Sequence, residues 1–496
     1  MPGSSGAKAS HSFIYGQSPV FQGSPVSQMF YSMGVLLLPE DYPTGDISPA
    51  SAAGLTNPPR FHAPRPLENT EMTSCREESL AYVGKLFDDV RAMSQDGPGV
   101  TRQGFGPVET AVLERLTEEG VRLGLEIRKD DAGGVWMTLP GRNRALPAFV
   151  AGSHADSVPQ GGNFDGLAGI VAAIETARRI KHDGIELERD FTVLMMRCEE
   201  SSFFGKAYAG SLGMMGRLKE SDLELKHRTA GTTLGDAIRS CGLRPERLTT
   251  GTPVIDPKRI AAFVELHIEQ GPTLDSDPKV RTGIVTGIRG NIRHKAVKVV
   301  GETAHSGAVD KCYRHDALLA ACRLMSRMDD LWDERLAAGD DLVFTSGVFR
   351  TGENTAISVI PGEVTFTIDI RSLDDATLER FHNMLLEEAR KIGEARGVEF
   401  IFDKPLLTAP ARVNGPLSDK LAEAAERAGL PVRRLASGAG HDAAMLGNCG
   451  IPTAMIFVAN QNGSHNPHEA MKLEDFVAGV DVLEAAVKDF DRNRHA

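Results

Sequence analysis

Apolar residues recur at regular periods from about residue 72 onward, and their spacing predicts an α/β fold. The stretches SLAYVGKLFDDVRAM and VETAVLERLTEEGVRLG repeat apolar residues every three or four positions, as one face of an amphipathic helix requires. Four elements then alternate along the chain: a strand at 148–152, a helix at 167–180, a strand at 191–196 and a helix at 206–218. Such alternation is typical of a largely parallel sheet that helices cover on both faces.

The periodicity changes near residue 285, where strands and helices follow one another in a different order. The pattern predicts strands at 295–300, 342–349, 363–370 and 398–402, with helices at 314–328 and 376–395. This β-α-β-β-α-β order is typical of a ferredoxin-like α+β sandwich. A strand at 453–458 and a helix at 473–487 then resume the first pattern. The sequence therefore predicts a catalytic α/β domain that is interrupted by an inserted lid domain.

We divide the chain into four parts on these patterns. Residues 1–72 are rich in Ser, Gly and Pro and keep no period, which predicts a disordered or loosely packed extension. Its apolar cluster at 33–38 is too short to span a bilayer and follows no basic run, so we expect no secretory signal. The other parts are the catalytic domain, residues 73–284 and 404–496, and the lid domain, residues 285–403.

Composition and charge narrow the classes of partner. The 496 residues, 41% of them hydrophobic, are enough for two or three domains with cores of their own. The formal charge of -12 argues against a nucleic acid or an anionic membrane as the main partner, because either would need a basic surface. The six cysteines include no CxxC pair, which favours reduced thiols in a cytoplasmic protein.

The stretch GSHADSVPQGGNFDGLAG, which follows the strand at 148–152, carries the first candidate metal ligands. His154 and Asp156 stand two apart and so point to the same side of a strand. The glycines after them let the chain turn and bring Asp165 back. A carboxylate and an imidazole can bind a metal, and a second carboxylate can fix the imidazole tautomer. The alternative interpretation is a polar loop around a structural histidine.

Three later motifs add candidates at similar places. Glu199 and Glu200 follow the strand at 191–196, and ligands gather at the carboxyl ends of strands in open parallel sheets. His267 lies in the apolar stretch FVELHIEQG, with Gln270 just beyond it, although a histidine in such a strand is often structural. The last motif, GSHNPHE, holds His465 and His468, which form a metal pair or include one incidental histidine.

Taken together, these motifs resemble the M20 metallo-aminoacylase and amidohydrolase family, in its N-carbamoyl-L-amino-acid hydrolase and allantoate amidohydrolase branch. The resemblance covers about residues 75 to 490 and rests on motifs in the family's order: GSHADSVPQGGNFDGLAG, CEESSFFG, LHIEQGP, ETAHSG, YRHDAL, SGAGHDAAML and GSHNPHE. It implies a metal-dependent hydrolase of a linear amide or ureido C–N bond in a small carboxylate-bearing substrate. Leading substrates are N-carbamoyl-L-amino acids; the alternatives are allantoate or another ureido acid, and an N-acyl amino acid or dipeptide.

The resemblance also implies roles for single residues and a metal cofactor. Two divalent ions are expected, one held by His154 and His267 and the other by Glu200 and His465. Asp165 would bridge the ions, Asp156 would support His154 and Glu199 would be the general base. Mixed imidazole and carboxylate sites suit Zn, Mn, Co and Ni alike, with zinc as the first expectation. His305, in ETAHSG, would stabilise the oxyanion across the interface of a homodimer formed by the lid.

The resemblance is weakest where it concerns the substrate. Arg371, in TIDIRS, would bind the substrate carboxylate through its planar fork, and Gln270 and His441 match positions that face substrate. Relatives usually have asparagine where this chain has Ser358, and they continue differently after His305, where this chain reads Ala308-Val309-Asp310-Lys311. A homologue that has lost its chemistry and serves as a binding protein is the alternative from a different class, and the intact set of candidate ligands argues against it.

Overall fold

The computed structural model of the protein describes residues 69–492, in which helices and strands alternate. The helices are α1 (Asn69–Ser94), α2 (Pro107–Arg122), α3 (Leu167–His182), α4 (Ala209–Met214), α5 (Glu220–Leu223), α6 (Leu234–Ser240), α7 (Ala317–Ala337), α8 (Asp375–Arg396), α9 (Gly415–Arg427), α10 (Asp442–Gly447) and α11 (Leu473–Arg492). The strands are β1 (Gln95–Asp96), β2 (Gly99–Val100), β3 (Glu126–Lys129), β4 (Val135–Leu139), β5 (Ala148–His154), β6 (Phe191–Met196), β7 (Ile260–Ile268), β8 (Thr282–Ile288), β9 (Gly290–Val300), β10 (Ala304–His305), β11 (Val343–Thr345), β12 (Phe349–Thr351), β13 (Val359–Ile360), β14 (Glu363–Ser372), β15 (Glu399–Ile401), β16 (Leu406–Thr408), β17 (Arg433–Ser437) and β18 (Thr453–Val458). The predicted extension at 1–72 lies outside the described residues, apart from the stretch from Asn69 that begins α1.

The larger sheet is parallel at its centre, as the sequence predicts. Its strand order is β17-β8-β18-β7-β5-β6-β4-β3. The neighbours β18 and β7, β7 and β5, and β5 and β6 all run parallel, while antiparallel pairs occur towards both edges. Every residue of β6 and of β18 is buried, which is why these strands appear in the sequence as unbroken apolar runs.

The smaller sheet has the strand order β11-β14-β9-β15 and is antiparallel throughout. The edge strands β12 and β16 pair with β14 and β9. Helices α7 and α8 pack on this sheet around a core of their own, which includes Leu324, Phe366 and Leu385. This arrangement is the predicted ferredoxin-like sandwich, and the predicted fold class, a mostly parallel α/β domain with an inserted α+β lid, is confirmed.

Both sheets extend slightly past the boundaries that the sequence suggests. Strand β8 belongs to the larger sheet although it continues beyond residue 284, and β16 belongs to the smaller sheet although it follows residue 403. The division into domains stays a prediction. Within the described residues, no helix is both long and apolar enough to cross a bilayer.

Two predicted elements differ from the structure. The helix expected at 206–218 is reduced to α4, because Tyr208 takes a left-handed conformation before it and Gly216 takes one after it. The strand expected at 342–349 is two short strands, β11 and β12, which pair with different parts of β14 around Gly347. In both cases the break depends on the backbone conformation of single residues within an apolar run, which hydrophobic periodicity does not show.

Candidate metal centre

Five side chains meet at the carboxyl ends of neighbouring parallel strands. His154 is the last residue of β5, His267 lies near the end of β7, and Glu200 and His465 follow β6 and β18. Asp165 lies in the turn between β5 and α3. His154, Asp165, Glu200 and His267 are buried, whereas the side chain of His465 is 52% exposed. The cluster therefore lies at one edge of the sheet and opens to solvent on the side of His465.

The five side chains form two groups that share Asp165. Its Oδ1 atom lies 3.5 Å from Nε2 of His154 and 3.2 Å from Nε2 of His267. Its Oδ2 atom lies 3.4 Å from Nε2 of His465, which in turn lies 3.1 Å from Oε1 of Glu200. Asp165 thus presents one oxygen to each group, as a carboxylate that bridges two cations would.

The donor atoms in each group fit a divalent metal. Imidazole nitrogens and carboxylate oxygens bind zinc at about 2.0–2.2 Å, so two of them in a tetrahedral shell are about 3.3 Å apart. The nitrogen-to-oxygen separations of 3.1 to 3.5 Å around Asp165 agree with that spacing. Burial opposes the ionised form of Asp165, but the imidazoles of His154, His267 and His465 beside it hold its pKa well below its usual range. The chain therefore carries candidate metal-binding residues.

The turn before α3 brings the two buried histidines against Asp165. Gly166 has φ +68°, and a Cβ atom there would lie 2.3 Å from Cε1 of His154, so the position requires glycine. Nδ1 of His267 lies 2.9 Å from the carbonyl oxygen of Ile268, and Nδ1 of His154 lies 3.2 Å from that of Asp156. When each Nδ1–H donates to its carbonyl, Nε2 is left with its lone pair towards Asp165.

Two buried carboxylates hold the turn that carries the glutamate pair. Asp156 accepts hydrogen bonds from the backbone N–H groups of Glu199 (2.9 Å) and Glu200 (3.0 Å). Glu109 accepts from the N–H of Cys198 at 3.0 Å and from Nε of Arg197 at 2.6 Å. Three successive backbone N–H groups therefore donate hydrogen bonds to buried carboxylates, which fixes both glutamates relative to the sheet. Glu109 could not be identified from the sequence, because its place in an amphipathic helix carries no sign of this contact.

Asp156 and Glu199 both lie beside the ligand groups without belonging to them. Oδ1 of Asp156 is 3.4 Å from Nδ1 of His154. Glu199 directly precedes the candidate ligand Glu200 and is 8% exposed. Burial raises the pKa of Glu199 well above its usual range; His154 opposes this rise, and the charge of Glu200 adds to it.

A second hydrogen-bond network supports Asp165 from the side of the GSHNPHE motif. Glu469 accepts from the N–H groups of Phe164 (2.9 Å) and Asp165 (3.3 Å). The hydroxyl of Ser464 donates to Oδ2 of Asp165 at 2.6 Å, and Nε2 of Gln270 donates to the same oxygen at 2.8 Å. Glu469 and Ser464 were not among the predicted site residues, although both stand inside the GSHNPHE motif.

His441 and Arg371, which the resemblance implies on the substrate side, have partners in the structure. His441 is buried, its Nε2 lies 2.8 Å from Oγ of Ser437, and its ring centre lies 4.6 Å from that of His267. Burial lowers the pKa of His441 well below its usual range, and His267 adds to the effect, so His441 is neutral. Nη2 of Arg371 lies 2.7 Å from Oδ2 of Asp369, which orients its guanidinium group.

A cavity of about 520 Å³ connects the cluster with Arg371. Gln270, Ser464 and His465 line it on the cluster side, and Arg289 and Arg371 line it on the lid side. Oε1 of Gln270 is buried and has no hydrogen-bond partner among the described residues. The cavity thus has the candidate metal ligand His465 and the guanidinium group of Arg371 in its walls.

The structure does not bring His305 and Ser358 to this cluster. Both are exposed, and they lie close together where the antiparallel strands β10 and β13 pair. We call β10, β13 and the adjoining Ser306 and Ser358 the lid hairpin, although its two strands come from distant parts of the chain. The N–H of Ser306 donates to the carbonyl oxygen of Ser358 at 2.8 Å. His468 is also exposed and belongs to neither ligand group of the described residues.

Two three-ligand groups that share a carboxylate, at the carboxyl edge of a largely parallel sheet, define a metal-dependent hydrolase. The chain belongs to peptidase family M20/M25/M40, whose family model matches residues 150–489. The predicted enzyme class, an M20-type metallohydrolase acting on carbon–nitrogen bonds other than peptide bonds in linear amides, is confirmed.

Three similar proteins illustrate the relationship. The chain is 32% identical to an N-carbamoyl-L-amino-acid amidohydrolase of Paenarthrobacter aurescens over 83% of this chain and 98% of the relative. It is 33% identical to an allantoate amidohydrolase of Escherichia coli strain K12 over 84% of this chain and 97% of the relative. A crystal structure of a hydantoinase/carbamoylase family amidase from Burkholderia multivorans is 30% identical, covers 82% of this chain and 97% of its own, and superimposes with a TM-score of 0.74.

Proposed function

We propose that the protein hydrolyses the ureido C–N bond of N-carbamoyl-L-amino acids. The observation that carries the proposal is the cavity of about 520 Å³, which His465 and Gln270 line at one end and Arg371 at the other. A small molecule in this space can present an amide-type carbonyl to the ligand cluster and a carboxylate to the guanidinium group. The names of the similar amidohydrolases support this substrate class.

We propose that two divalent metal ions complete the site. His154 and His267 would hold one ion, Glu200 and His465 the other, and Asp165 would bridge them. Zinc is the first choice, and Mn, Co and Ni suit the same donors. When bound, such ions polarise the substrate carbonyl and make water nucleophilic at neutral pH.

Glu199 is the proposed general base. Its carboxylate lies next to Glu200 yet outside both ligand groups, so it stays free to exchange a proton. The carboxylate would accept a proton from the attacking water and deliver it to the departing nitrogen. The hydrogen bond from its backbone N–H to Asp156, at 2.9 Å, holds it in place for both transfers.

Arg371 is the proposed anchor for the substrate carboxylate. Asp369 holds its guanidinium group in a fixed orientation, 2.7 Å from Nη2, so little side-chain freedom is lost on binding. Gln270 and His441 would contact the substrate near the cluster. Ser358 would contribute a single hydroxyl from the lid, which offers one donor where an amide offers two.

His305 is proposed to stabilise the oxyanion from the partner subunit of a homodimer that forms through the lid. In one chain its side chain is exposed in the lid hairpin and makes no contact with the ligand cluster among the described residues. The proposal therefore requires a second copy of the chain to supply the His305 imidazole.

The test is to measure ammonia or carboxylate release by metal-reconstituted protein across a substrate panel. The panel holds N-carbamoyl-L-amino acids, allantoate, N-acyl amino acids and dipeptides, and we expect the highest kcat/KM for the first. Preferential turnover of allantoate or of N-acyl substrates would replace the proposed substrate while keeping the reaction. Absence of all turnover, together with absence of bound metal in unchelated protein, would indicate a binding protein instead.

A further inference from the structure

Tyr208 lies beside the proposed general base in an unusual backbone conformation. It has φ +62°, a left-handed value that costs energy for any residue with a Cβ atom. Its N–H donates to the carbonyl oxygen of Glu199 at 2.7 Å, which closes the loop that begins at the glutamate pair. Cys198, Gln270 and His465, all at the metal centre, share this left-handed conformation. The strain at Tyr208 therefore belongs to the same local structure that forms the site.

The phenol of Tyr208 is directed over the backbone of the SGAGHDA motif. A Cβ atom at Gly440 would lie 1.6 Å from the Tyr208 hydroxyl oxygen, so the hydroxyl fills the space that this glycine leaves open. Gly440 immediately precedes His441. The hydroxyl thus lies against the residue that precedes His441, whose ring centre is 4.6 Å from that of the ligand His267.

Charges of both signs act on this hydroxyl. Burial raises the pKa of Tyr208 above its ordinary value, and the carboxylates of Glu199 and Asp442 add to the rise. The guanidinium groups of Arg293 and Arg371 act in the opposite direction. Burial and these carboxylates keep the hydroxyl protonated, so it can act as a hydrogen-bond donor. Gly438 and Ala439, which directly precede Gly440, line the cavity, so the hydroxyl over Gly440 lies beside the wall of that cavity.

The Tyr208 hydroxyl makes no hydrogen bond within the described part of the chain. Tyr82 behaves differently, because its hydroxyl donates to Oε1 of Glu119 at 2.6 Å. The Tyr208 side chain is half-buried, and tyrosine hydroxyls that are partly withdrawn from water usually find a partner, so a protonated hydroxyl without one beside the cavity is suited to a ligand acceptor.

We infer that the Tyr208 hydroxyl donates a hydrogen bond to the carbonyl oxygen of the substrate as negative charge develops on it. The inference rests on the proposed function, which places that carbonyl between Glu199 and Arg371. A donor that strengthens as its acceptor becomes anionic lowers the barrier to water attack. Tyr208 is contributed by the same chain as Glu199, so it would act together with the His305 imidazole expected from the partner.

The substitution Tyr208→Phe tests this by removing one oxygen atom. We expect kcat to fall about a hundredfold, as loss of one oxyanion donor does, while KM changes by less than about twofold because the contact forms in the transition state. Metal content and Tm should match the parent protein. Tyr82→Phe is the matched control, since it deletes the hydroxyl of a half-buried tyrosine elsewhere, and its kcat should equal that of the parent.

Three other results of the Tyr208→Phe experiment would contradict the role of Tyr208, and they can be told apart. Parental kcat in Tyr208→Phe, under conditions in which Glu199→Gln is inactive, would overturn the role of Tyr208 and leave the proposed function intact. A raised KM with unchanged kcat, or a loss of metal, would replace the role with ground-state binding or with support of the centre. A parent protein without turnover on the whole substrate panel would overturn both proposals together.

Discussion

The predicted site residues fall into two regions, the metal-ligand cluster and the lid hairpin. A single chain brings the residues of the cluster together, whereas it leaves those of the lid hairpin away from the cluster. In the cluster, four of five ligand side chains are buried, and Asp165 accepts hydrogen bonds from Ser464 and Gln270. In the lid hairpin, His305 and Ser358 are exposed, and the backbone holds them together without any contact to the cluster among the described residues. Buried polar groups need partners within the fold, whereas exposed ones are satisfied by water.

This contrast explains which roles one chain can support. The N–H groups of Cys198, Glu199 and Glu200 end on buried carboxylates, so ligand positions are fixed before any substrate arrives. Fixed donors that need no reorganisation are what an electrostatic catalyst requires. His305 has no such framework around it, and its proposed role therefore depends on a second surface.

Asp165→Ala should have the largest effect, because both ligand groups share this carboxylate. We expect loss of both metal ions and of detectable turnover, measured by metal analysis of purified protein and by the substrate panel. Asp88→Ala is the control, since Asp88 is exposed on α1 and should leave both properties unchanged. Retention of the full metal content by Asp165→Ala would show that the groups do not share a bridging ligand.

The fold could largely be predicted from the sequence because the central strands of the larger sheet are buried on both faces. The predicted strands at 191–196 and 453–458 agree with β6 and β18 at both ends. The prediction of a helix at 206–218 was too long at both ends, because Tyr208 and Gly216 take left-handed conformations that limit the helix to α4. Periodicity reports which side of an element is buried, and it carries little information about backbone conformation at small residues.

The candidate site was predictable in its ligands and much less so in its supports. His154, Asp165, Glu200 and His267 stand at strand ends in motifs with distinctive spacing, and the structure brings them together. Glu109 supports the same turn from 89 positions away along the chain, and in the sequence it resembles any glutamate of an amphipathic helix. Long-range contacts of this kind depend on packing, which a single sequence does not display.

His305→Ala should lower kcat by about a hundredfold or more, as loss of an oxyanion donor does, with metal content unchanged. The same variant tests whether His305 acts across a dimer. Co-expression with Glu199→Gln, itself inactive, should restore about a quarter of parental activity, because half of the random dimers are mixed and each mixed dimer has one intact site. Full inactivity of the mixture, or an active monomer in solution, would place His305 outside any shared site.

Glu469→Gln should have a smaller effect, on metal affinity. The carboxylate accepts from the N–H groups of Phe164 and Asp165, so it orients the bridging ligand without being one. We expect metal affinity to fall about tenfold, as outer partners of metal ligands typically contribute. Competition with a chelator measures this, and Glu474→Gln, at an exposed glutamate in α11, is the control. Equal affinity in both variants would contradict the orienting role.

The smallest effect should come from a histidine pair in the lid, away from the metal centre. Nε2 of His294 lies 2.9 Å from Nε2 of His382, with ring centres 5.2 Å apart and planes 17° apart, so the rings meet head to head. Nδ1 of His294 lies 3.0 Å from Oδ1 of Asp403. One nitrogen of the pair must keep its lone pair for this contact, which a second proton would remove.

Burial lowers the pKa of His382 below its ordinary value of 6.5, and the charge of His294 adds to the effect. A histidine with a lowered folded-state pKa contributes full stability above pH 6.5, and this contribution is lost as the pH falls below that value. Tm of the parent should therefore drop further than Tm of His382→Gln when both are compared above and below pH 6.5. His468→Gln, at an exposed histidine, should behave like the parent. Parallel pH profiles for the parent and His382→Gln would remove the pair as a source of pH dependence.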